Sequence, residues 1–156
     1  MTSLFSSVSW PRGRKPRRAR LLERLESLLP WARLEQMIDP IYPKPTTGRP
    51  PYPLAVMVRT YVLLWLFDLS DESAEDLILD SHSAAAFVGL DPWKPRPPGA
   101  SAIGRFRLLV EAHENDAFRF EIGLALLGAK AELRLGRIIE PRLKIKPGGV
   151  PPGNEK

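Results

Sequence analysis

The segment from Leu54 to Phe67 limits what this chain can fold into more than any other. Of its fourteen residues, Arg59 and Thr60 are the polar interruptions, so the segment is apolar on nearly every side of a helix. Such a helix has to be surrounded by other elements. It is well short of the ~20 residues that a membrane span needs. The segment therefore predicts a buried central helix that follows Pro53, because proline suits a helix start.

Helical periodicity on both sides of this segment predicts an all-α fold, a small multi-helix bundle. Leucines spaced three and four residues apart predict a helix from about Ala19 to Leu29, and a short helix follows over residues 31–38. Another helix is predicted from Asn115 to about Ala131. Residues suited to begin or end the remaining helices stand at Ser70, Ser81 or Ser83, Gly89 and Ser101.

The chain divides into three parts by composition. Residues 1–18 are basic and interrupted by prolines and a glycine, which predicts a flexible arm ahead of a helical domain over residues 19–131. In residues 132–156, apolar residues first alternate around Gly136, which favours a strand or a small hairpin over 132–140. After Pro141 the chain is rich in proline and glycine, so we expect a disordered end.

The composition excludes several kinds of chemistry. The chain has no cysteine, which rules out disulfides, thiolate metal sites and thiol nucleophiles and fits a cytoplasmic protein. Its two histidines, His82 and His113, are not paired at metal-ligand spacing, so we expect no metal site. No phosphate-binding glycine loop or nucleophile motif appears either, and we expect no cofactor, no catalytic group and no small-molecule substrate. Residues 21–29 are broken by charges, so we expect no secretory leader. No membrane association is expected.

Charge is distributed unevenly along the chain. Residues 21–128 hold ten basic against fifteen acidic groups, whereas the last twenty-eight residues hold seven against three. The first twenty residues have no acidic group and carry six cations: Arg12, Arg14, Lys15, Arg17, Arg18 and Arg20. Basic ends on a mildly acidic body predict binding to a polyanion, most often nucleic acid. The alternative is a solvated tail that aids solubility.

Three groups of basic residues are candidate DNA contacts. Residues 11–18 read P-R-G-R-K-P-R-R, similar to a minor-groove AT-hook, although non-specific phosphate contact is the favoured interpretation. Lys44 and Arg49 stand on a proline-rich connector, where the alternative is a loop that its prolines and tyrosines clamp to the bundle. Arg105 and Arg107 lie in early turns of a helix, as base-reading arginines do, but Arg107 could instead pair with Glu111 at i+4.

Several segments, taken in order and spacing, resemble the N-terminal region of InsH-type DDE transposases from bacterial insertion elements. The resemblance covers about residues 10–140. The segments are L-L-P-W at 28–31, I-D-P-I-Y-P-K at 38–44, G-R-P-P-Y-P-L at 48–54, M-V-R-T-Y-V-L-L-W-L-F-D-L-S-D at 57–71, F-V-G-L-D at 87–91 and I-G-R-F-R-L-L-V-E at 103–111. It implies a helical region that binds double-stranded DNA at the element's terminal repeats, ahead of a catalytic domain with three metal-binding acids.

The chain departs from this family at two places. Glu140, followed by Pro141, stands where the family has its first catalytic aspartate, and residues 98–103 lack the family's acidic and threonine residues. We therefore expect a DNA-binding domain, not an enzyme on its own, truncated before the catalytic core as a frameshift product or a decayed remnant. It would act at the bacterial nucleoid. The alternative is a helical interaction protein that associates with itself or with full-length transposase and inhibits it.

Overall fold

Helix α3, Leu54–Phe67, lies at the centre of the bundle, and nine of its fourteen residues are buried. The computed structural model describes residues 14–91, 93, 96–113 and 116–139, with 133–139 described as backbone. Besides α3, these ranges hold six helices, which are α1 (Arg17–Leu28), α2 (Trp31–Ile38), α4 (Asp71–Asp80), α5 (His82–Val88), α6 (Ala100–Ala112) and α7 (Asp116–Ile139). These ranges contain no β-strand, which confirms the all-α prediction.

Local signals in the sequence set most helix boundaries. The bounds of α2 and α3 agree with the predicted segments. The hydroxyls of Ser70 and Ser81 each accept a backbone hydrogen bond at the start of α4 and α5, and Gly89, at φ +81°, ends α5. Helix α6 begins at Ala100, so Ser101 is its second residue rather than its cap. Arg12 and Asn115 lie outside the described residues.

The predicted strand over 132–140 is wrong for every residue of it that the structure describes. Helix α7 continues from Asp116 to Ile139 without a break, and Glu140 lies beyond the described residues. Glutamate, leucine and arginine are strong helix formers, and each residue added to an existing helix gains a hydrogen bond without a new nucleation step. Two alternating leucines could not outweigh that gain without a strand to pair with.

Arginine–carboxylate pairs join helices at several places, and we call the two pairs with the least exposed arginines the arginine joints. The first is formed by Arg59 of α3, whose guanidinium makes a bidentate contact with the Glu26 carboxylate of α1. Arg59 also donates to the Phe87 carbonyl of α5 at 3.1 Å and lies 4.0 Å above the Trp31 ring of α2. With 12% of its side chain exposed, it connects four helices. The one charge within the apolar helix is thus structural.

The second arginine joint ties α6 to α4. The Arg107 guanidinium donates to both carboxylate oxygens of Asp71, at 3.2 and 2.9 Å, and Glu111 lies 3.5 Å away. One turn along α4, the Glu75 carboxylate accepts the backbone N–H of Ala100 at 2.8 Å, which satisfies a free donor at the start of α6. Carboxylates in the first two turns of α4 therefore hold α6 in place.

Helix α7 packs against α1 and α2. Its inner face is formed by Phe118, Ile122, Leu126 and Ala129, all of them buried. Arg24 of α1 contacts the Glu132 carboxylate near the far end of this packing. Within the described residues, no helix is long and apolar enough to cross a bilayer.

Candidate nucleic-acid interface

A cleft of about 620 Å³ opens where the proline-rich connector meets the start of α3 and one side of α6. Its floor is apolar and includes Met57, Phe106 and Leu109. Its walls carry four cations, Lys44, Arg49, Arg96 and Arg105, and none of the described residues that line it is acidic. We call this site the cationic cleft. The structure thus brings Lys44 and Arg49 of one predicted basic group together with Arg105 of another, although the two groups lie more than fifty residues apart in the chain.

Two tyrosines hold the connector in position. The Tyr42 hydroxyl donates to the Tyr52 carbonyl, and the Tyr42 ring meets Phe106 of α6 edge-on, with 5.9 Å between the ring centroids. Burial raises the pKa of the Tyr42 hydroxyl, which keeps it protonated as a donor. The Tyr52 hydroxyl in turn donates to the Pro97 carbonyl at 3.3 Å. The tyrosines therefore clamp the connector, while Lys44 and Arg49 remain exposed on it.

Arg96 was not among the predicted contacts, although it completes the cleft. Its guanidinium lies 4.3 Å above the Tyr52 ring, and Nη2 donates to the Pro50 carbonyl at 3.4 Å. Its Nε is buried and has no hydrogen-bond partner among the described atoms. The available signal was its place within a loop, 91–99, that holds four prolines and a second cation. Stiff proline loops present side chains at low entropic cost.

Lys44 and Arg105, two other cations of the cleft, are weakly held. Lys44 Nζ lies 2.6 Å from Asp39 Oδ1, but both side chains are 61% exposed. Such exposed pairs contribute about 0–1 kcal/mol, so a phosphate can replace the carboxylate. Arg105 Nε donates to the Ser101 carbonyl one turn earlier at 3.3 Å, and its side chain is exposed. These groups can reach an anion without breaking a strong internal contact.

Arg107 lies elsewhere, although it is only two residues from Arg105. Its ion pair with Asp71 raises the pKa of the guanidinium above its already high ordinary value, through the hydrogen bonds first and the charge second. The predicted alternative partner, Glu111, is the more distant of the two carboxylates. Arg107 does not line the cationic cleft. Its guanidinium is therefore engaged within the bundle.

The basic N-terminal residues form a separate group. Arg14 and Lys15 precede α1, and Arg17, Arg18 and Arg20 lie in its first turns, all of them exposed. Lys15 pairs with Glu23 at 2.9 Å, and Arg18 lies 5.2 Å above the ring of Phe67, the last residue of α3. The cationic cleft adjoins the other end of α3, which is about 20 Å long at 1.5 Å per residue. Two basic sites thus flank the central helix.

Acidic groups do not converge in the part of the chain whose side chains the structure describes. No three histidine or carboxylate side chains there are placed to hold a metal ion. At the start of α4, the Asp71 and Glu75 carboxylates are engaged with α6 instead.

Comparison with known families identifies a match over much of the chain. The model of a family described as "Transposase domain (DUF772)" matches residues 11–109 of this chain. That span runs from the basic N-terminal residues into α6 and contains all four cations of the cleft. No solved structure matches the chain.

Proposed function

This chain belongs to the transposase domain family DUF772, and we propose that it serves transposition by binding duplex DNA. The observation that carries the proposal is the cationic cleft. Four cations from the connector, the proline loop and α6 meet there, and no described lining residue is acidic. Lysine and arginine in such a setting bind phosphate oxygens and release the counterions of the DNA. The resemblance to InsH-type transposases supports the element's terminal repeats as the DNA that is bound.

The distance between the two basic sites predicts the spacing of their contacts on the duplex. The cleft and the basic N-terminal residues lie near opposite ends of α3, about 20 Å apart along the helix. A duplex that spans both sites would be contacted at points separated by roughly six base pairs, at 3.4 Å per pair. Phosphate contacts of this kind fix position and register rather than sequence. Arg105 is the cleft residue best placed to reach the base edges, because it projects from the second turn of helix α6.

Our proposal assigns binding, not strand cleavage, to this chain. Two-metal phosphoryl transfer needs several carboxylates that converge on ions about 3.5–4 Å apart. In the described part of the chain no three carboxylates are placed to hold a metal ion, and those of Asp71 and Glu75 hold α6 through Arg107 and the Ala100 N–H. Incubating the full chain with labelled duplex and Mg²⁺ should therefore leave the strands intact, and metal-dependent nicking would contradict this part of the proposal.

The decisive experiment compares two variants that lose the same charge. Arg49→Ala/Arg105→Ala removes two cleft cations, and Arg24→Ala/Arg33→Ala removes two exposed arginines from α1 and α2. Affinity for an element-end duplex is measured by fluorescence anisotropy between about 50 and about 200 mM salt. Each lost phosphate contact lowers the slope of log K against log salt by about 0.9, so the cleft variant should lose nearly two units of slope.

The control should retain its slope. Equal slopes in the two variants would mean that binding follows net charge alone, and the cleft would then not be the site. A third variant, with Arg12, Arg14, Arg17 and Arg18 changed to alanine, measures the contribution of the N-terminal residues separately. Loss of slope in this variant and in the cleft variant would support two contact points on the duplex.

A further inference from the structure

Helix α7 carries a second apolar face that is open to solvent. Its buried inner face packs on α1 and α2, whereas Phe120, Leu124 and Leu127 point away from them with 64%, 51% and 69% of their surface exposed. A helix that is apolar on both sides belongs between two partners. Three large exposed side chains in successive turns form a contiguous patch, and such patches mark interaction sites. We call this patch the outer face of α7.

Two glycines lie beside the outer face at positions where packing within the bundle leaves room for a side chain. A Cβ added at Gly123 or Gly128 would meet no atom within 4 Å. Glycine inside a helix costs about 1 kcal/mol relative to alanine, and internal packing does not require it at either position. Small residues on a helix surface let another backbone approach closely. The glycines and the apolar side chains therefore point to the same kind of occupant, a second helix.

The spacing of the outer face matches that of a coiled-coil seam. Residues 120, 124, 127 and 131 are separated by four, three and four positions, the alternation of a heptad repeat. Ala117 and Ala131, both exposed, extend the apolar line by a turn at each end. A seam of this length suits a partner helix with the same repeat, and a second copy of α7 supplies one.

The charges at the two ends of the seam favour one relative orientation of two paired α7 helices. Asp116 stands at the start of the seam and Lys130 near its end, both exposed. A parallel pair of α7 helices would place like charges together, whereas an antiparallel pair places Asp116 beside Lys130 of the second copy. We propose that two copies of this chain associate through the outer faces of α7, antiparallel, with the two-fold axis near Leu124. The cationic clefts remain outside this contact.

Sedimentation equilibrium of the full chain without DNA tests the association. The wild-type chain should be dimeric, and Leu124→Gln/Leu127→Gln should be monomeric with an unchanged helical circular dichroism spectrum. The matched control is Leu79→Gln/Leu108→Gln, which replaces two leucines that are 59% and 57% exposed on α4 and α6 and should stay dimeric. A monomeric wild-type chain, or a dimer that survives the α7 variant, would overturn the proposal. Because DNA is absent, the result is independent of the proposed function.

Single cysteines then test the direction, since the natural chain has none. Leu124→Cys lies at the proposed axis and should form a disulfide-linked dimer on mild oxidation with diamide. Ala117→Cys and Ala131→Cys lie equally far from the axis on opposite sides, so each alone should stay uncrosslinked and the mixture should crosslink. A disulfide needs Cα atoms within about 7 Å. Crosslinking of each variant with itself would show a parallel pair and overturn the antiparallel arrangement.

Discussion

The cationic cleft and the arginine joints place the same side chain in opposite electrostatic settings. In the joints, Arg59 and Arg107 each face a carboxylate from a different helix. In the cleft, Arg96 faces a tyrosine ring and a carbonyl oxygen, and Arg105 is exposed. The role of an arginine in this bundle therefore depends on whether a carboxylate distant in sequence contacts it. Joints should therefore govern stability, and the cleft should govern binding.

The largest effect is expected at the first joint. Arg59→Ala leaves the Glu26 carboxylate without its partner and removes a hydrogen bond to the Phe87 carbonyl. Breaking a largely buried pair from one side should lower the free energy of unfolding by about 3 kcal/mol. Urea denaturation followed by circular dichroism measures it. Arg33→Ala, at a pair whose arginine is 63% exposed, is the control and should cost about 0–1 kcal/mol. A similar loss of stability in both variants would contradict the prediction that the buried Arg59 pair contributes more than an exposed pair.

The second joint allows the comparison to be made within one helix. Arg107→Ala should lower the free energy of unfolding by about 1 kcal/mol, because it breaks a bidentate but partly exposed contact with Asp71. Its salt dependence of DNA binding should be that of the wild type. Arg105→Ala, two residues away, should leave the free energy of unfolding unchanged and should lower the salt dependence of DNA binding. Denaturation and anisotropy measured on both variants check this, and a loss of slope in Arg107→Ala would place it in the DNA contact.

Much of the fold could be predicted because its signals are local. The apolar run of α3, the caps at Ser70 and Ser81 and the glycine that ends α5 act within a few residues, and these predictions were confirmed. The cap predicted at Ser101 was wrong, since this residue is the second of α6. The strand predicted after residue 131 was wrong because alternation over two leucines competes poorly with a helix already formed. The arginine joints could not be predicted from the sequence. Asp71 and Arg107 are thirty-six residues apart, so only the packing of α4 on α6 brings them together.

Three of the four cations of the cleft could be proposed from the sequence, but the way they come together could not. Lys44, Arg49 and Arg105 were each proposed as DNA contacts from their own surroundings. Their convergence depends on the connector folding back over α6, which the Tyr42–Phe106 contact and the Tyr52–Pro97 hydrogen bond bring about. Aromatic contacts between distant segments leave no periodic trace in a sequence. Arg96 was missed for the same reason.

A smaller effect is expected at Gly104, which faces the second joint. A Cβ there would lie 2.9 Å from Asp71 Oδ2, so Gly104→Ala gains about 1 kcal/mol of helix propensity but displaces the carboxylate that Arg107 holds. The net change in the free energy of unfolding should lie within about 0.5 kcal/mol of zero. In an Arg107→Ala background the displacement costs less, and the same substitution should stabilise. Equal effects in both backgrounds, measured by denaturation, would show that Gly104 and the joint are uncoupled.

The smallest effect is expected at the exposed contact between α1 and α7, where it should appear as a pH dependence. The hydrogen bond from Arg24 lowers the pKa of the Glu132 carboxyl, so the folded chain holds this proton less tightly than the unfolded chain does. The contribution is complete above the ordinary glutamate pKa of about 4.3 and is lost as the pH falls through the lower folded value. Glu132→Gln should therefore melt slightly below the wild type at neutral pH and converge with it in acid. Arg24→Gln removes the other partner and should give the same profile, whereas a gap in melting temperature that stays constant down to pH of about 3 would mean that the contact contributes nothing.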